Sequence, residues 1–251
     1  LARRLRRLAD GARLLAVDGA GRLLRAERVL TALPAYGGVF ELPLSSDVTR
    51  YLLIGRFERA LPPILRAALG GGGDLVDVGA NAGLYSVLGA RLLGGRGRVL
   101  AVEAAPAAAD LLEANLARNG LAGVLVHRGA AAAAAGRATL HVLDGSEEYA
   151  SLGGRAHPLA PRRRARAVEV PTAPLDDLVE GHGLRPALLK LDVEGAEGLV
   201  LQGAARTLVR HRPAILSELD DRLLGPLGWD ARRVLALLAA AGYVAHDAVS
   251  G

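Results

Sequence analysis

The stretch "DLVDVGANAG" at residues 74–83 places a short apolar strand directly before a turn of small residues. Asp77 lies near the end of the strand, Gly79, Asn81 and Gly83 occupy the turn, and the helical pattern "LYSVLGARLL" follows. Glycines let the backbone approach a ligand closely, and the first amides of a helix are free to bind one. Ligands of parallel sheets bind beyond the carboxyl ends of the strands. The stretch therefore predicts a cofactor site at the edge of a parallel sheet.

Strand and helix patterns alternate after this turn. In chain order they are "RVLAVE", "PAAADLLEANLARNG", "AGVLVHRG", "GRATLHVL", "AVEVPTAPLDDLVEGHG", "PALLKLDVEG", "AEGLVLQGAARTLV", "PAILSELD" and "DARRVLALLAAAG". The alternation predicts an α/β fold with a doubly wound, mostly parallel sheet and helices on both faces. We expect the alanines at 130–135 to form a loop or short helix, residues 144–166 to form a variable surface excursion, and "YVAHDAV" to be a last strand.

The chain has 251 residues, which suffice for one core. We expect residues 1–56 to form an N-terminal lead-in of a short helix and strands. Residues 57–251 are predicted to form the cofactor-binding domain, and whether its C-terminal strand is truncated stays open. The helix before the glycine turn is predicted from Glu58 to Leu69. Since the chain contains no Met, we also expect a truncated N-terminus.

The composition limits the classes of function. With 31 basic and 26 acidic residues and 3% aromatics, the chain lacks the concentrated basic and aromatic surface of a nucleic-acid binder. It has no cysteine and therefore no disulfide or thiol chemistry. We find neither a signal peptide nor an apolar run of about 18 residues that could cross a membrane. The expectation is a soluble cytoplasmic protein of open oligomeric state.

The turn favours one type of cofactor. Dinucleotide-binding turns follow G-x-G-x-x-G, whereas position 81 here is Asn, which would crowd a pyrophosphate. The carboxylate of Asp77 would also repel a phosphate. A cationic, phosphate-free cofactor such as S-adenosylmethionine (SAM) fits better. Glu103 ends the next strand and can accept hydrogen bonds from both ribose hydroxyls, a role that suits SAM and NAD alike.

The single lysine of the chain, against thirty arginines, lies in the apolar strand "LLKLDVEG". Strand side chains alternate, so Lys190 and Asp192 share one face. An unpaired buried ammonium would be costly or would lose its proton. We therefore expect Lys190 to have a carboxylate neighbour, and a purely structural ion pair remains an open interpretation.

Several motifs together resemble the FkbM-type SAM-dependent methyltransferases. They are, in order, "GRFERALPPIL", "DVGANAGLYS", "VEAAPAAADLLEANLARNG", "LLKLDVEGAEGLVLQGA" and "PAILSEL". The sequence departs from the family at Ala104, where a proline is usual, and at the alanine run, where a Ser-Asp pair is frequent. Because the Ser-Asp pair is absent, we expect the backbone near Gly129 and Ala130, and not a side chain, to flank the adenine.

The resemblance implies a Rossmann-like class I methyltransferase fold, SAM as the cofactor, and O-methylation of a hydroxyl on a sugar or polyketide-type small molecule. In the strand order of such enzymes, Asp77, Asp192 and Glu218 reach the same edge of the sheet. The expected cofactor-binding residues are Asp77, Gly79, Ala80, Asn81, Gly83, Tyr85, Glu103 and Ala130. The expected catalytic residues are Asp192 as the first candidate for the base, Glu194 and Glu218 as further candidates, and Lys190 as the compensating cation.

Three other functions stay open at this point. One is an NAD-dependent oxidoreductase, since Glu103 would serve either cofactor. An RNA methyltransferase is suggested only by the pI of about 10.2. An inactive binding domain is the third. No pair of histidines has the spacing of metal ligands, so no metal site is predicted, although Asp192 with Glu218 could hold a divalent ion.

Overall fold

The computed structural model describes residues 10–19, 27–144, 146–154 and 164–247. In chain order its helices are α1 at residues 10–19, α2 Asp47–Leu53, α3 Leu61–Leu69, α4 Leu84–Leu93, α5 Pro106–Arg118, α6 Leu175–Gly181, α7 Glu197–Gln202, α8 Ala205–His211, α9 Asp221–Leu224 and α10 Ala231–Ala240. Its strands are β1 Arg28–Leu33, β2 Gly38–Pro43, β3 Asp74–Val78, β4 Val99–Glu103, β5 Leu125–Arg128, β6 Ala130–Ala131, β7 Gly136–Leu143, β8 Ser146–Ser151, β9 Ala165–Ala173, β10 Pro186–Leu191 and β11 Ala214–Ser217.

The central sheet has five parallel strands in the order β11-β10-β3-β4-β5. Apolar side chains such as Leu75 and Leu188 pack on one face with α3 to α5, and Val76 and Leu189 pack on the other with α6 to α8. Because each strand is covered on both faces, its sequence is almost continuously apolar. The predicted α/β fold, with a mostly parallel sheet and helices on both faces, is confirmed.

A second, four-stranded sheet in the order β6-β9-β7-β8 lies after β5. Its first strand corrects the prediction for the alanine run, because Ala130 and Ala131 form a strand that pairs with Thr172 and Ala173. Backbone pairing with β9 outweighs the helical preference of alanine at this point. The prediction of a surface excursion at 144–166 is wrong for β8, while residues 145 and 155–163 lie outside the described residues.

Three predicted helix or strand limits differ from the structure. The helix expected from Glu58 begins at Leu61, because Glu58 has a φ of 32° and prolines follow at the start of α3. The segment expected to be one helix forms two, α7 and α8, which are separated at Gly203. The backbone there packs tightly against β6 and the residue after it, because a Cβ at Gly203 would lie 2.1 Å from the carbonyl oxygen of Ala132. No strand forms at 243–247, and the rest of the predicted last strand lies outside the described residues.

The described part of the lead-in contains α1, α2 and the antiparallel pair β1 and β2. Sequence analysis did not predict α2, which begins at the N-cap Ser46, whose side chain accepts a hydrogen bond from the amide of Thr49. Phe40 and Leu42 of β2 belong to the same apolar cluster as Leu112 of α5. Residues 1–9 and 20–26 of the predicted lead-in lie outside the described residues. None of the described helices combines the length and apolar character that crossing a bilayer requires.

Candidate active site

A cavity of about 1080 Å³ opens at the carboxyl edge of the central sheet, beside the turn at 79–82 that follows β3. A smaller pocket of about 70 Å³ lies next to it, between the end of β4 and the start of the second sheet. The residues that line both spaces are Gly79, Asn81, Glu148, Asp192 and Glu194. The two spaces therefore meet at one junction, as a site for two bound molecules requires.

The turn after β3 is held in an unusual backbone conformation. Gly79 has a φ of 76°, and a Cβ there would lie 1.9 Å from the carbonyl oxygen of Asp192. Asn81 has a φ of 48°, a conformation that Asn tolerates better than most residues. The turn thus lies directly against the segment that follows β10, which accounts for glycine at position 79.

Glu103 fixes the same turn from the end of β4. Its Oε2 accepts a hydrogen bond of 2.7 Å from the amide of Asn81, and its Oε1 accepts one of 2.8 Å from the amide of Ala105. Burial raises the pKa of Glu103, and the two amide donors oppose that rise. The carboxylate also lines the smaller pocket together with Gly129 and Ala130, where the sequence predicts the ribose and the adenine.

Lys190 has the carboxylate neighbours that the sequence predicts. Its Nζ lies 3.1 Å from Oδ2 of Asp192 and 3.5 Å from Oδ1 of Asp77, and it donates a hydrogen bond of 3.1 Å to the carbonyl of Gly79. The ring centroid of Tyr85 is 5.2 Å from the ammonium. Burial lowers the pKa of Lys190, but the surrounding carboxylates raise it more, so the net direction is upward. Lys190 is therefore a charged, buried ammonium.

The carboxylates around this ammonium differ in exposure. The side chain of Asp77 is fully buried, and its Oδ2 accepts a hydrogen bond of 2.7 Å from Oγ of Ser86. Burial raises the pKa of Asp77, and Lys190 opposes that rise. Asp192, in contrast, keeps 38% of its side chain exposed and lines both cavities.

Two further predicted residues lie beside Asp192. Glu194 has a φ of 50°, and its carbonyl accepts a hydrogen bond of 3.0 Å from Oγ of Ser151. Burial, with contributions from Asp192 and Glu218, raises the pKa of Glu194 to about 8. Glu218 follows β11, and burial raises its pKa as well. These side chains reach one edge of the sheet, as predicted.

Two of the residues predicted to bind the cofactor do not line either cavity. Asp77 holds Lys190 and Ser86 from behind the turn, and Gly83 begins α4 with a φ of 86°. The structure places Ala80, Asn81 and Tyr85 on the wall of the larger cavity.

Sequence analysis missed two acidic residues of this site. Glu58 accepts a hydrogen bond from the hydroxyl of Tyr85, and burial raises its pKa. Glu148 lies on β8 at the junction of the two spaces. The segment "SEEYAS" has no regular alternation of polar and apolar residues, so it gave no local signal of a strand. For Glu58, the only signal in the sequence was that its "GRFE" segment belongs to one of the motifs that resemble the FkbM-type methyltransferases.

Within the described ranges, no group of three or more His, Cys, Asp or Glu side chains is arranged to hold a metal ion.

The comparison with protein families decides the classification. The profile of the Methyltransferase FkbM domain matches residues 77–245, which include the glycine turn, Lys190 and every predicted catalytic residue. The chain belongs to the FkbM methyltransferase family. S-adenosylmethionine is accordingly the cofactor of this FkbM domain. No curated protein sequence matches the chain.

Solved structures with a similar fold include an FkbM methyltransferase from Methylobacillus flagellatus, at 21% identity and a TM-score of 0.45. That match covers 66% of this chain and 37% of the other, so this chain spans little more than a third of that relative's length. An O-methyltransferase from Bacillus cereus in complex with SAH has 17% identity and a TM-score of 0.43, covering 91% of this chain and 79% of that one. Fibrillarin from Aeropyrum pernix, with natively bound SAM, has 14% identity and a TM-score of 0.41, covering 74% and 66%.

The charges around the larger cavity fit this cofactor. Ten carboxylates and four basic side chains line the larger cavity, although the whole chain carries a net charge of +5. An acidic wall attracts the sulfonium and ammonium groups of SAM and repels a pyrophosphate. Gly79, Asn81 and Glu103 are the residues that would hold its nucleoside and methionine parts.

Proposed function

We propose that the FkbM domain transfers a methyl group from SAM to a hydroxyl oxygen of a small-molecule acceptor, of the sugar or polyketide type. The observation that carries the proposal is the unequal exposure of the carboxylates around Lys190. Asp77 is buried, whereas Asp192 presents part of its side chain to the cavity while its Oδ2 stays 3.1 Å from the ammonium. Of these two carboxylates, only Asp192 is available to an acceptor.

SAM supplies a methyl group bonded to a positively charged sulfur, so the domain has to position an acceptor and receive its proton. A hydroxyl is a weak nucleophile, and a carboxylate within hydrogen-bond distance can accept its proton as the new bond forms. Asp192 is our first candidate for this base. Lys190 orients it, because the ammonium donates a hydrogen bond of 3.1 Å to Oδ2 of Asp192.

Glu194 and Glu218 have supporting roles in the proposal. Burial, together with the charge of Asp192, raises the pKa of both carboxyl groups, which lie at the same edge of the sheet. The acidic wall of the cavity as a whole favours a cationic donor over a phosphate-bearing one. Glu194 is the alternative base if Asp192 serves only to hold Lys190.

Two measurements test the proposal. Isothermal titration with S-adenosylhomocysteine and with NADH identifies the cofactor, and we expect binding of the first alone. Incubation with methyl-labelled SAM and a set of hydroxylated sugars and polyketides then identifies the product by mass spectrometry. We expect a methyl ether, which resists mild alkali. A methyl ester or an N-methyl product would overturn the assignment of a hydroxyl acceptor.

The Asp192→Asn variant tests the base. We expect turnover to fall by about 100-fold or more while affinity for S-adenosylhomocysteine is retained, because the amide cannot accept the proton. Asp110→Asn, which changes an exposed carboxylate on α5, is the control and should behave like the wild type. Unchanged turnover of Asp192→Asn would remove Asp192 from this role and leave Glu194 as the candidate.

A further inference from the structure

Beyond the junction, the larger cavity is lined by elements that do not belong to the central sheet. Its outer wall consists of α2 and β8, and we call the space between them the seam. The amide of Asp47 donates a hydrogen bond of 3.0 Å to Oε1 of Glu148, and the hydroxyl of Tyr149 donates one of 3.3 Å to Oδ2 of Asp47. These contacts join the lead-in to the second sheet across the mouth of the cavity.

The seam is continuous with the proposed catalytic edge. On the β8 side, Ser151 is bonded to the carbonyl of Glu194, two residues beyond Asp192. On the α2 side, Arg50 forms ion pairs of 3.1 Å with Asp47 and 2.8 Å with Asp18 of α1. A molecule held between α2 and β8 would therefore lie against the face of the cavity that Asp192 and Glu148 share.

Aromatic residues are concentrated in this cavity. The chain has one Trp, five Tyr and two Phe, and four of these eight line the cavity: Tyr51, Phe57, Tyr85 and Tyr149. Tyr51 is 46% exposed on α2, and Tyr149 is on β8, so the two seam walls each supply a tyrosine. Ser45 and Ser46 line the same end. Aromatic faces with hydroxyl and carboxylate groups around them suit a ring that carries several hydroxyls.

The charge of the seam excludes one class of acceptor. Arg50 is held between Asp18 and Asp47, so its charge is compensated by carboxylates of the protein. Glu148 adds a further carboxylate at the junction. A phosphate or carboxylate on the acceptor would face like charges and would have to give up its hydration. A neutral or amine-bearing acceptor meets no such penalty.

We propose that the seam is the acceptor subsite, that it takes an uncharged or amine-bearing glycoside and rejects anionic ones, and that Glu148 is the residue that positions its two walls. The proposal rests on the proposed methyl transfer for its purpose. The seam meets the cofactor pocket at Glu148, but Tyr51 lines the larger cavity alone, so glycoside binding and cofactor binding can fail independently.

Binding of three methyl glycosides with the same ring tests the ligand class. The probes are methyl glucoside, which is neutral, methyl glucosaminide, which carries an amine, and methyl glucuronide, which carries a carboxylate. Ligand-observed NMR measures their binding with and without S-adenosylhomocysteine, and calorimetry measures S-adenosylhomocysteine itself. We expect the first two to bind at least about tenfold more tightly than the glucuronide, a difference of about 1.4 kcal/mol.

Substitutions in the seam test its location. Tyr51→Ala should weaken methyl glucoside by about tenfold, and Tyr51→Phe should retain binding because it keeps the ring. Glu148→Ala should weaken it too, since the amide of Asp47 loses its acceptor. Glu148→Gln keeps an acceptor oxygen, so it should restore methyl glucoside binding and, lacking the charge, should also tolerate the glucuronide better. Glu169→Gln on β9 is the matched control, and neither it nor the Tyr51 variants, which change a residue of the larger cavity alone, should alter affinity for S-adenosylhomocysteine.

The outcomes separate the two proposals. If the wild-type protein does not bind S-adenosylhomocysteine, the proposed function is contradicted. The glycoside measurements then still decide whether the seam is a glycoside site. Binding of S-adenosylhomocysteine without any glycoside binding would overturn the seam as a glycoside subsite. Equal binding of the glucuronide would overturn the charge argument. Unchanged glycoside binding in both Tyr51→Ala and Glu148→Ala would place the acceptor elsewhere.

Discussion

Lys190 stands in a chain that otherwise uses arginine, and its contacts give the reason. Its ammonium is shared between Asp77, Asp192 and the carbonyl of Gly79, and the ring of Tyr85 covers it. A guanidinium is planar and longer, so it would not present its donors to three acceptors around one point. The sequence indicated that this lysine needed a carboxylate. It could not indicate that Tyr85 and Glu58 complete the surroundings, because they come from distant segments.

Glu103→Ala is expected to weaken SAM binding by about tenfold or more, since the carboxylate both lines the small pocket and holds the amides of Asn81 and Ala105. Calorimetry with S-adenosylhomocysteine measures the change. Glu113→Ala, which removes an exposed carboxylate of α5, is the control. Unaltered affinity of the Glu103 variant would contradict the ribose assignment.

Glu194→Gln is expected to change how stability depends on pH. The pKa of Glu194 is raised from 4.5 in the unfolded chain to about 8 in the folded one, so the folded state binds a proton that the unfolded state has lost. The contribution of this group to stability is therefore complete below pH 4.5 and is lost as the pH rises toward about 8.

Glutamine removes this titration. The variant should equal the wild type in acid and exceed it by about 1 kcal/mol or more above pH 8, as measured by urea unfolding across that range. A stability difference that does not grow with pH would contradict the raised pKa.

At the scale of elements, the strand–turn–helix unit around the glycine turn could be predicted because its signals are local. Apolar strands, a turn of small residues and a helical period follow one another without interruption from β3 to α5. The alanine run and β8 could not be predicted in the same way. Their extended conformation depends on pairing with β9 and β7, whose positions are set by the folded chain.

Gly79→Ala is expected to disrupt the contact between this turn and the segment after β10. An added Cβ would lie 1.9 Å from the carbonyl of Asp192, in a backbone conformation with a φ of 76°. We expect a loss of about 3 kcal/mol in the free energy of unfolding and a large loss of SAM affinity.

Gly71→Ala is the matched control, because nothing lies within 4 Å of an added Cβ there. Urea unfolding and calorimetry on both variants measure the two effects. Equal behaviour of the two would show that the turn relaxes around the methyl group.

At the scale of the whole molecule, two asparagines attach the lead-in to the catalytic sheet: Asn115 of α5, and Asn119, which follows the last residue of that helix. Asn115 bonds the amide and the carbonyl of Glu41, and Asn119 bonds the amide and the carbonyl of Val39. Four residues along a helix and two along a strand both span about 6 Å, so the two side chains match the spacing of β2. Asn115 also donates to the carbonyl of Ala82 in the glycine turn.

Asn115→Ala is expected to cost about 3 kcal/mol in the free energy of unfolding, because the buried side chain loses four hydrogen bonds, which join it to Glu41, Ala82 and Arg118. Asn119→Ala should cost about 1 kcal/mol, since water can replace its more exposed contacts. Chemical unfolding of both variants gives the comparison. Equal losses would contradict a special role for Asn115 in joining the lead-in to the turn.

The sequence by itself determined the parallel α/β fold, the place of the glycine turn, the type of cofactor and the need of Lys190 for a carboxylate. All of these depend on local patterns or on the cost of burying an unpaired charge, which apply before any tertiary contact is known. Only the tertiary structure decided that Asp77 lies behind the turn, that Glu58 and Glu148 face the cavity, and that α2 and β8 close it. Those positions arise from packing between segments far apart in the chain, and no local pattern encodes the distance between them.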